Sequence, residues 1–404
     1  MTTPTLLLAP RRAAVLADFD NTLDVLVRIQ APDMPADATT RRSPIHVALV
    51  LDRSGSMSGG PLREARRCAE FVLGGLSPVD RASLTVYDHD VHTLVPLTSA
   101  TDKARLTDAI SRIHSGGTTD LHAGWFAGAE TLAPHTSADI VSRVILLSDG
   151  CANHGLTDAA AIQAQCAELA AAGVSTSTYG LGRDFNEELM IGMARAGGGN
   201  SYYGATAEDL MDPFREELAL LNALCARGLV LEFETPEGVR AELLNGYASN
   251  RDGGWRLPDL AFSGEAWALI RLTLPRSIAR SGANVDLLEV RVRYANLDGA
   301  AQPSLQAQLS APVVAAAAFG AIAEEQLVAS RADELAVAGL SEQAREAARN
   351  GDWARVDVAI EQVRKLAEAN PWLAGTCQAL EALAMQRDHA TFAKEAAFSS
   401  SRMR

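Results

Sequence analysis

The chain has 404 residues, 48% of them apolar, which is enough for two or three separate hydrophobic cores rather than one. Lys and Arg total 36 against 50 Asp and Glu, and the resulting net charge of −14 excludes nucleic acid and anionic membrane surfaces as principal partners. The five cysteines are scattered, with no Cys-x-x-Cys pair, so a disulfide framework or zinc knuckle is not indicated and a reducing, cytoplasmic setting fits best.

In chain order, Leu6-Leu7-Leu8 is soon interrupted by Pro10-Arg11-Arg12, too short for the apolar core of a signal peptide, and no apolar run reaches membrane-spanning length. Residues 13–31 alternate apolar and polar, as in Leu23-Asp24-Val25-Leu26-Val27-Arg28-Ile29, and so do 228–235, 238–244, 265–274 and 285–294. Period-two runs broken by Gly, Pro and Asn predict an antiparallel β-sandwich. The middle of the chain differs. Strand patterns at 46–52, 82–87, 91–96, 143–148, 174–180 and 200–203 alternate there with helical patterns at 62–74, 102–113, 121–133, 158–172, 186–196 and 206–225. That alternation predicts an α/β unit, a doubly wound, Rossmann-like parallel sheet with helices on both faces.

After Pro312 the composition turns to Ala, Glu, Arg and Leu, and three or four packed helices are expected. Ser341 reads as a cap, Asn350-Gly351 as a stop and Asp352 as a new start. The division is therefore 1–43, first strands of the sandwich; 44–227, the inserted α/β domain; 228–311, remaining strands; 312–396, a helical domain; and 397–404, a mobile serine-rich tail. Ser43-Pro44 and Arg227-Gly228 would be the hinges of the insertion.

The richest chemistry lies where buried strands end. Val47-Ala48-Leu49-Val50-Leu51 stops in Asp52-Arg53-Ser54-Gly55-Ser56, and Val144-Ile145-Leu146-Leu147 stops in Ser148-Asp149-Gly150. Ser115-Gly116-Gly117-Thr118-Thr119-Asp120 is a glycine turn with two hydroxyls before a helix. In a parallel sheet all three segments open on one edge, and their carboxylates and hydroxyls are hard oxygen donors suited to Mg2+ or Mn2+ rather than zinc.

Asp52-Arg53-Ser54-Gly55-Ser56-Met57, Pro61-Leu62, Asp80-Arg81, Thr119-Asp120-Leu121 with Gly124, and Leu147-Ser148-Asp149-Gly150 resemble, in order and spacing, the von Willebrand factor A family over about residues 44–225. The resemblance implies a metal-ion-dependent adhesion site. In it Ser54, Ser56 and Thr119 would bind the metal directly, and Asp52 and Asp149 directly or through water. Thr119 has the family's offset to Gly124, which Thr118 lacks. A free metal position would accept an Asp or Glu of a partner protein, making the chain a non-enzymatic scaffold. The flanking sandwich is similar to that of bacterial proteins resembling inter-alpha-trypsin inhibitor heavy chains. Bacterial chains of this appearance often work beside MoxR-type ATPases or beside protein kinases and phosphatases.

A second reading is enzymatic. Asp18-Phe19-Asp20-Asn21-Thr22 after Ala13-Ala14-Val15-Leu16-Ala17 resembles the first motif of haloacid dehalogenase phosphohydrolases, with Asp18 as nucleophile and Asp20 as acid and base. The downstream lysine is misplaced for it: Lys103 precedes Ser148, and Lys365 falls in the helical segment. The same residues also read as a hairpin turn. Around the metal motif, His122, Asn153 and His154 are rim candidates, Trp125 reads as core, and Arg53 as a contact for an acidic partner. Asp88-His89-Asp90 reads as a polar hairpin rather than a second metal site, and Gly197-Gly198-Gly199 as a turn.

Overall fold

The computed structural model describes residues 3–34, 42–149, 152–182, 186–204, 206–250, 253–296 and 303–403. Strands β1 (Thr5–Pro10), β2 (Val15–Leu16) and β3 (Asn21–Gln30) come first. They are followed by β4 (Ile45–Asp52), α1 (Gly60–Gly75), β5 (Arg81–Tyr87), β6 (Val91–Ser99), α2 (Lys103–Ser111) and α3 (Leu121–Leu132). Next are β7 (Val141–Ser148), α4 (Ala159–Ala171), β8 (Val174–Leu181), α5 (Glu187–Ala196), β9 (Gly198–Gly204) and α6 (Ala207–Asn222). Strands β10 (Leu224–Glu234), β11 (Arg240–Leu243), β12 (Trp255–Arg256), β13 (Leu260–Ala261), β14 (Glu265–Leu274), β15 (Asn284–Asn296) and β16 (Ser304–Val314) complete the sheets. Helices α7 (Ala316–Ala321), α8 (Gln326–Arg349), α9 (Trp353–Ala369), α10 (Pro371–Gln386) and α11 (His389–Arg402) end the described chain.

The middle segment forms one sheet in the order β6-β5-β4-β7-β8-β9, parallel except for β6 at the edge. Every residue of β4 and β7 is buried, as expected of central strands covered on both faces. One face packs α1 and α6 through Leu62, Ala69, Phe214 and Leu218, the other packs α3, α4 and α5 through Trp125, Ile162 and Met193. The chain leaves β4 toward β5, then returns to β7 on the opposite side. Its winding reverses between β4 and β7, and the crevice at their carboxyl ends is the topological switch point of such a sheet.

Two further sheets carry the strands on either side of this segment. One has the order β1-β3-β14-β11 and the other β12-β10-β15-β16-β2, with β13 also on β10. Val25, Val27 and Ile270 of the first join Leu231, Val290 and Val292 of the second in a single apolar cluster. Strand β1 includes Leu6-Leu7-Leu8, whose alternation ran too short to stand out. The expected hinge at Arg227-Gly228 lies inside β10 instead: that strand starts at Leu224, two residues after α6, and absorbs Gly228 (φ +61°) as a register shift. A glycine in the left-handed region lets the strand bulge without breaking.

Asp18 and Asp20 occupy the turn between β2 and β3. Asp18 has φ +63°, Asn21 holds the turn through the Leu16 backbone, and Asp20 accepts from the Arg276 N–H. Strand β2, which Asp18 follows, is a two-residue strand paired parallel with β16 and lies outside the α/β sheet, and Lys103 is committed to the carbonyls of Gly74 and Leu76 at the end of α1. Among the described residues nothing supports the phosphohydrolase reading.

Helices α8 to α11 share a core that includes Val337, Val356, Ile360, Leu373 and Phe392. Two expectations fail in this part. Ser341 lies inside α8, buried, its hydroxyl donating to the Val337 carbonyl at 2.9 Å, so the residue is satisfied one turn back and caps nothing. The sequence predicts a mobile tail over 397–404; Arg404 lies outside the described residues, and the described part is packed: α11 runs to Arg402, Phe398 and Met403 are buried, and Ser400 donates to the Ala338 carbonyl at 3.1 Å. Apolar residues at helical spacing outweigh the serines. No helix among the described residues is long and apolar enough to cross a membrane.

Asp80 anchors the entry to the parallel sheet. Its buried carboxylate accepts from both ends of the Arg42 guanidinium (2.8 and 2.6 Å) and from the N–H groups of Ile45 and Ser77 (2.9 and 2.7 Å). Burial alone would raise its pKa, but these four donors outweigh burial and hold it below the ordinary carboxylate value. The group therefore stabilises the fold above the ordinary carboxyl range, and that contribution is lost as the pH falls through the depressed value. Asp80→Ala should cost about 3–5 kcal/mol in urea unfolding at neutral pH, with the gap to wild type narrowing in acid.

Candidate metal centre

Asp52 closes β4 with no exposed surface. One carboxylate oxygen accepts from the Ser54 N–H at 2.8 Å, fixing the turn that follows. The other accepts from Ser148 Oγ at 2.6 Å and from the Tyr87 hydroxyl at 3.4 Å, so the ends of β5 and β7 are drawn onto the end of β4. Burial pushes the Asp52 pKa up, and these donors pull it part of the way back. Burial, followed by the Asp52 charge, drives the Tyr87 phenol well above its ordinary value, so it remains a donor.

The turn then presents hydroxyls. Ser54 is buried and Ser56 exposed, their Oγ atoms 3.2 Å apart, and Ser56 Oγ donates to Asp149 Oδ1 at 2.9 Å. Asp52, Ser54, Ser56 and Asp149 thus form one hydrogen-bonded string across the switch-point crevice. Thr119 arrives with its loop. The Gly55 N–H donates to the Gly117 carbonyl (3.0 Å) and the Gly116 N–H to the Arg53 carbonyl (2.8 Å), stitching the glycine turn to the serine turn. Asn153 Oδ1 accepts from the Thr119 N–H at 2.9 Å, and the Thr119 carbonyl accepts from the N–H groups of Asn153 and His154, tying the threonine to the segment after β7. Thr119 is buried and Thr118 exposed. Gly150 and Cys151 lie outside the described residues.

Helix α3 begins beside this loop, with Asp120 as its cap accepting from the Ala123 N–H at 3.0 Å. A Cβ on Gly124 would stand 2.3 Å from the Tyr87 ring, so glycine lets α3 lie close enough for that ring to sit beneath it and reach Asp52. The donors gathered here are carboxylate and hydroxyl oxygens with no thiol or imidazole among the five, a set that fits a hard cation such as Mg2+ or Mn2+.

Of the neighbours, Arg53 is placed differently from expectation. Arg53 does not reach outward: its guanidinium pairs at 3.1 Å with Asp88, a buried carboxylate, because an unpaired buried acid would cost more than the arginine gains in solvent. Asp88-His89-Asp90 is the β5–β6 turn, closed by the Asp88 N–H on the Asp90 carbonyl and the Asp90 N–H on Asp88 Oδ1. Its three side chains also come within reach of one another. His122 bonds Gln165 at 2.8 Å and stacks on Phe126, and Trp125 is fully buried with its indole N–H on Thr176 Oγ1. His154, over half exposed, stands 3.4 Å from Asp120 on the rim. Tyr87, Ser148 and Asn153 support the cluster: Ser148 lies in the motif that ends β7 and Asn153 is a rim candidate in the sequence, but nothing in its local sequence marks Tyr87, which only the pairing of β5 with β4 brings in.

Residues 46–216 match the family described as the von Willebrand factor type A domain. The chain carries a von Willebrand factor type A domain. An uncharacterized protein of Synechocystis sp. is 29% identical over 185 residues, 45% of this chain and 42% of the relative. Mouse inter alpha-trypsin inhibitor heavy chain 4 is 29% identical over 162 residues, 38% of this chain and 17% of the relative. The chain spans less than half the length of these curated relatives. Among solved structures, a von Willebrand factor type A protein from Catenulispora acidiphila superposes with a TM-score of 0.70 at 16% identity, covering 90% of this chain and 86% of that one. The ArnB paralog VWA2 from Sulfolobus acidocaldarius gives 0.64 at 17% identity, covering 100% and 98%. At such identities the likeness is one of fold, and it extends beyond the A domain to nearly the whole chain. Von Willebrand factor A domains are generally protein-interaction modules.

Removing a short bond to a buried carboxylate tests how the cluster is held. Ser148→Ala should lower stability by about 1.5–3 kcal/mol, read from the urea midpoint in chelator, whereas Ser56→Ala on the exposed side should stay within about 0.5 kcal/mol.

Proposed function

We propose that this chain is a non-enzymatic scaffold that docks an Asp or Glu of a partner protein through a divalent cation, Mg2+ or Mn2+, at the carboxyl edge of its A domain. The observation that carries the reading is the string Asp52–Ser54–Ser56–Asp149, drawn from two strand ends, with the Thr119 loop stitched to both turns. Ser54, Ser56 and Thr119 would hold the ion directly, with Asp52 and Asp149 binding it directly or through water. A cation so held supplies a replaceable coordination position to an incoming carboxylate. Ser148 and Tyr87 keep the Asp52 oxygens oriented, and Asn153 sets the height of Thr119. Among the described residues no nucleophile with a positioned base accompanies the cluster, which supports adhesion over hydrolysis. We place the protein in the cytoplasm and the A domain at about residues 44–227; a MoxR-type ATPase or a kinase and phosphatase pair are partners of the right kind.

Isothermal titration of Mg2+ into metal-free protein should give one saturable site. The Asp52→Ala, Ser54→Ala double variant should lose it, and Asn153→Ala should weaken it about 10–100-fold with an unchanged circular dichroism spectrum. Equal uptake by wild type and the double variant would sink the proposal. Capture of the partner should then require Mg2+ and fail in chelator.

A further inference from the structure

The edge of the parallel sheet opposite the metal centre borders a cleft of about 1150 Å3. Its walls are the amino ends of β7, β8 and β9, the carboxyl end of α4, and strands β10, β12 and β15 of the flanking sheet. Three arginines enter it: Arg227, Arg256 and Arg293. Two are committed, Arg227 to the carbonyls of Ser137 and Ile140, and Arg293 to Glu232. Arg256 is not. Among the described residues its guanidinium has neither a hydrogen bond nor an ion pair, although its backbone is fixed by pairing with Val230 and by its N–H on the Ala248 carbonyl at 3.0 Å. The acid closest in role, Asp259, is occupied by the Gly228 N–H at 2.9 Å and faces Arg143 at 3.8 Å. Burial lowers the Arg256 pKa more than the Asp259 charge raises it, so the cation is held in its cleft at a cost.

The space beside Arg256 is kept open by small side chains. Ala164, Ala167 and Ala171 line the α4 wall together with the exposed Glu168, and Gly198 lies against the arginine, where a Cβ would come 3.9 Å from its Cδ. A planar guanidinium with free donors, sharing a cleft with the alanines of α4, matches a flat organic body bearing an oxyanion. The size agrees, since clefts of this order enclose ordinary small ligands.

We infer that this cleft binds a small organic oxyanion, a carboxylate or phosphate ester, with Arg256 gripping the anion and the alanine face of α4 receiving the body. The site is separate from the metal centre and needs no cation.

Saturation-transfer NMR on the full chain, with phenyl phosphate, benzoate and benzyl alcohol as probes, tests it. At least one of the two anions should bind saturably while the alcohol does not, and the preferred anion tells which source of oxyanion the cleft takes. Arg256→Gln and Ala171→Leu should each weaken that binding at least tenfold; Ala171 is exposed on α4, so its change fills the cleft without touching the core. Asp52→Ala and chelator should leave it unchanged, which separates this site from the metal proposal. Failure of both anions to saturate, benzyl alcohol binding as well as they do, or wild-type affinity in Arg256→Gln would overturn the inference.

Discussion

A carboxylate without exposed surface has to be supplied with hydrogen bonds by the chain around it, and Asp52 is supplied from three places at once. The donors are its own turn at Ser54, the end of β7 at Ser148 and the end of β5 at Tyr87. That arrangement is available only because β4 lies between β5 and β7, with all three running the same way. The strand order therefore does two jobs. It satisfies the buried acid, and it brings the serine turn, the glycine turn and Asp149 to the same rim.

The remainder of the molecule is fastened to this sheet with little slack. Helix α6 packs its Phe214 ring 3.9 Å from that of Tyr179 and buries Glu217, which accepts from Ser177, Asn200 and Tyr202 and lies 3.5 Å from Arg143. It then passes into β10 across a single residue. Helix α8 joins both parts. Its first half covers Leu26 and Leu269 of the flanking sheet with Val328 and Leu335, and its last turn carries Arg349, paired with Glu187 and Glu188 at the start of α5. Phe398 of α11 stacks on Tyr203 of β9 from the same side. Apolar contact supplies the bulk of such junctions, and the exposed ion pairs at their margins add orientation more than stability.

Where local pattern and tertiary environment agreed, reading the chain was straightforward. The β4 and β7 runs are continuous apolar stretches because both of their faces are covered, and α1 shows its stripe because only one face is. Where they disagreed, packing prevailed. Ser341 would start a helix on an isolated peptide but is folded into α8 by the apolar residues on either side. The terminal serines sit on a helix whose Phe398 and Met403 are buried. Gly228 looked like a joint between units, yet a strand with partners on both sides tolerates it as a bulge.

By itself the sequence determined the alternation of strands and helices, the turn residues after β4 and β7, and the candidate oxygen ligands Asp52, Ser54, Ser56, Thr119 and Asp149, because periodicity and side-chain chemistry are local properties. Only the tertiary structure decided that Arg53 is spent on Asp88, that Tyr87, Ser148 and Asn153 hold the cluster, and that Arg256 faces an open cleft. Those outcomes depend on which distant groups become neighbours and which are cut off from water, and no stretch of chain carries that information on its own.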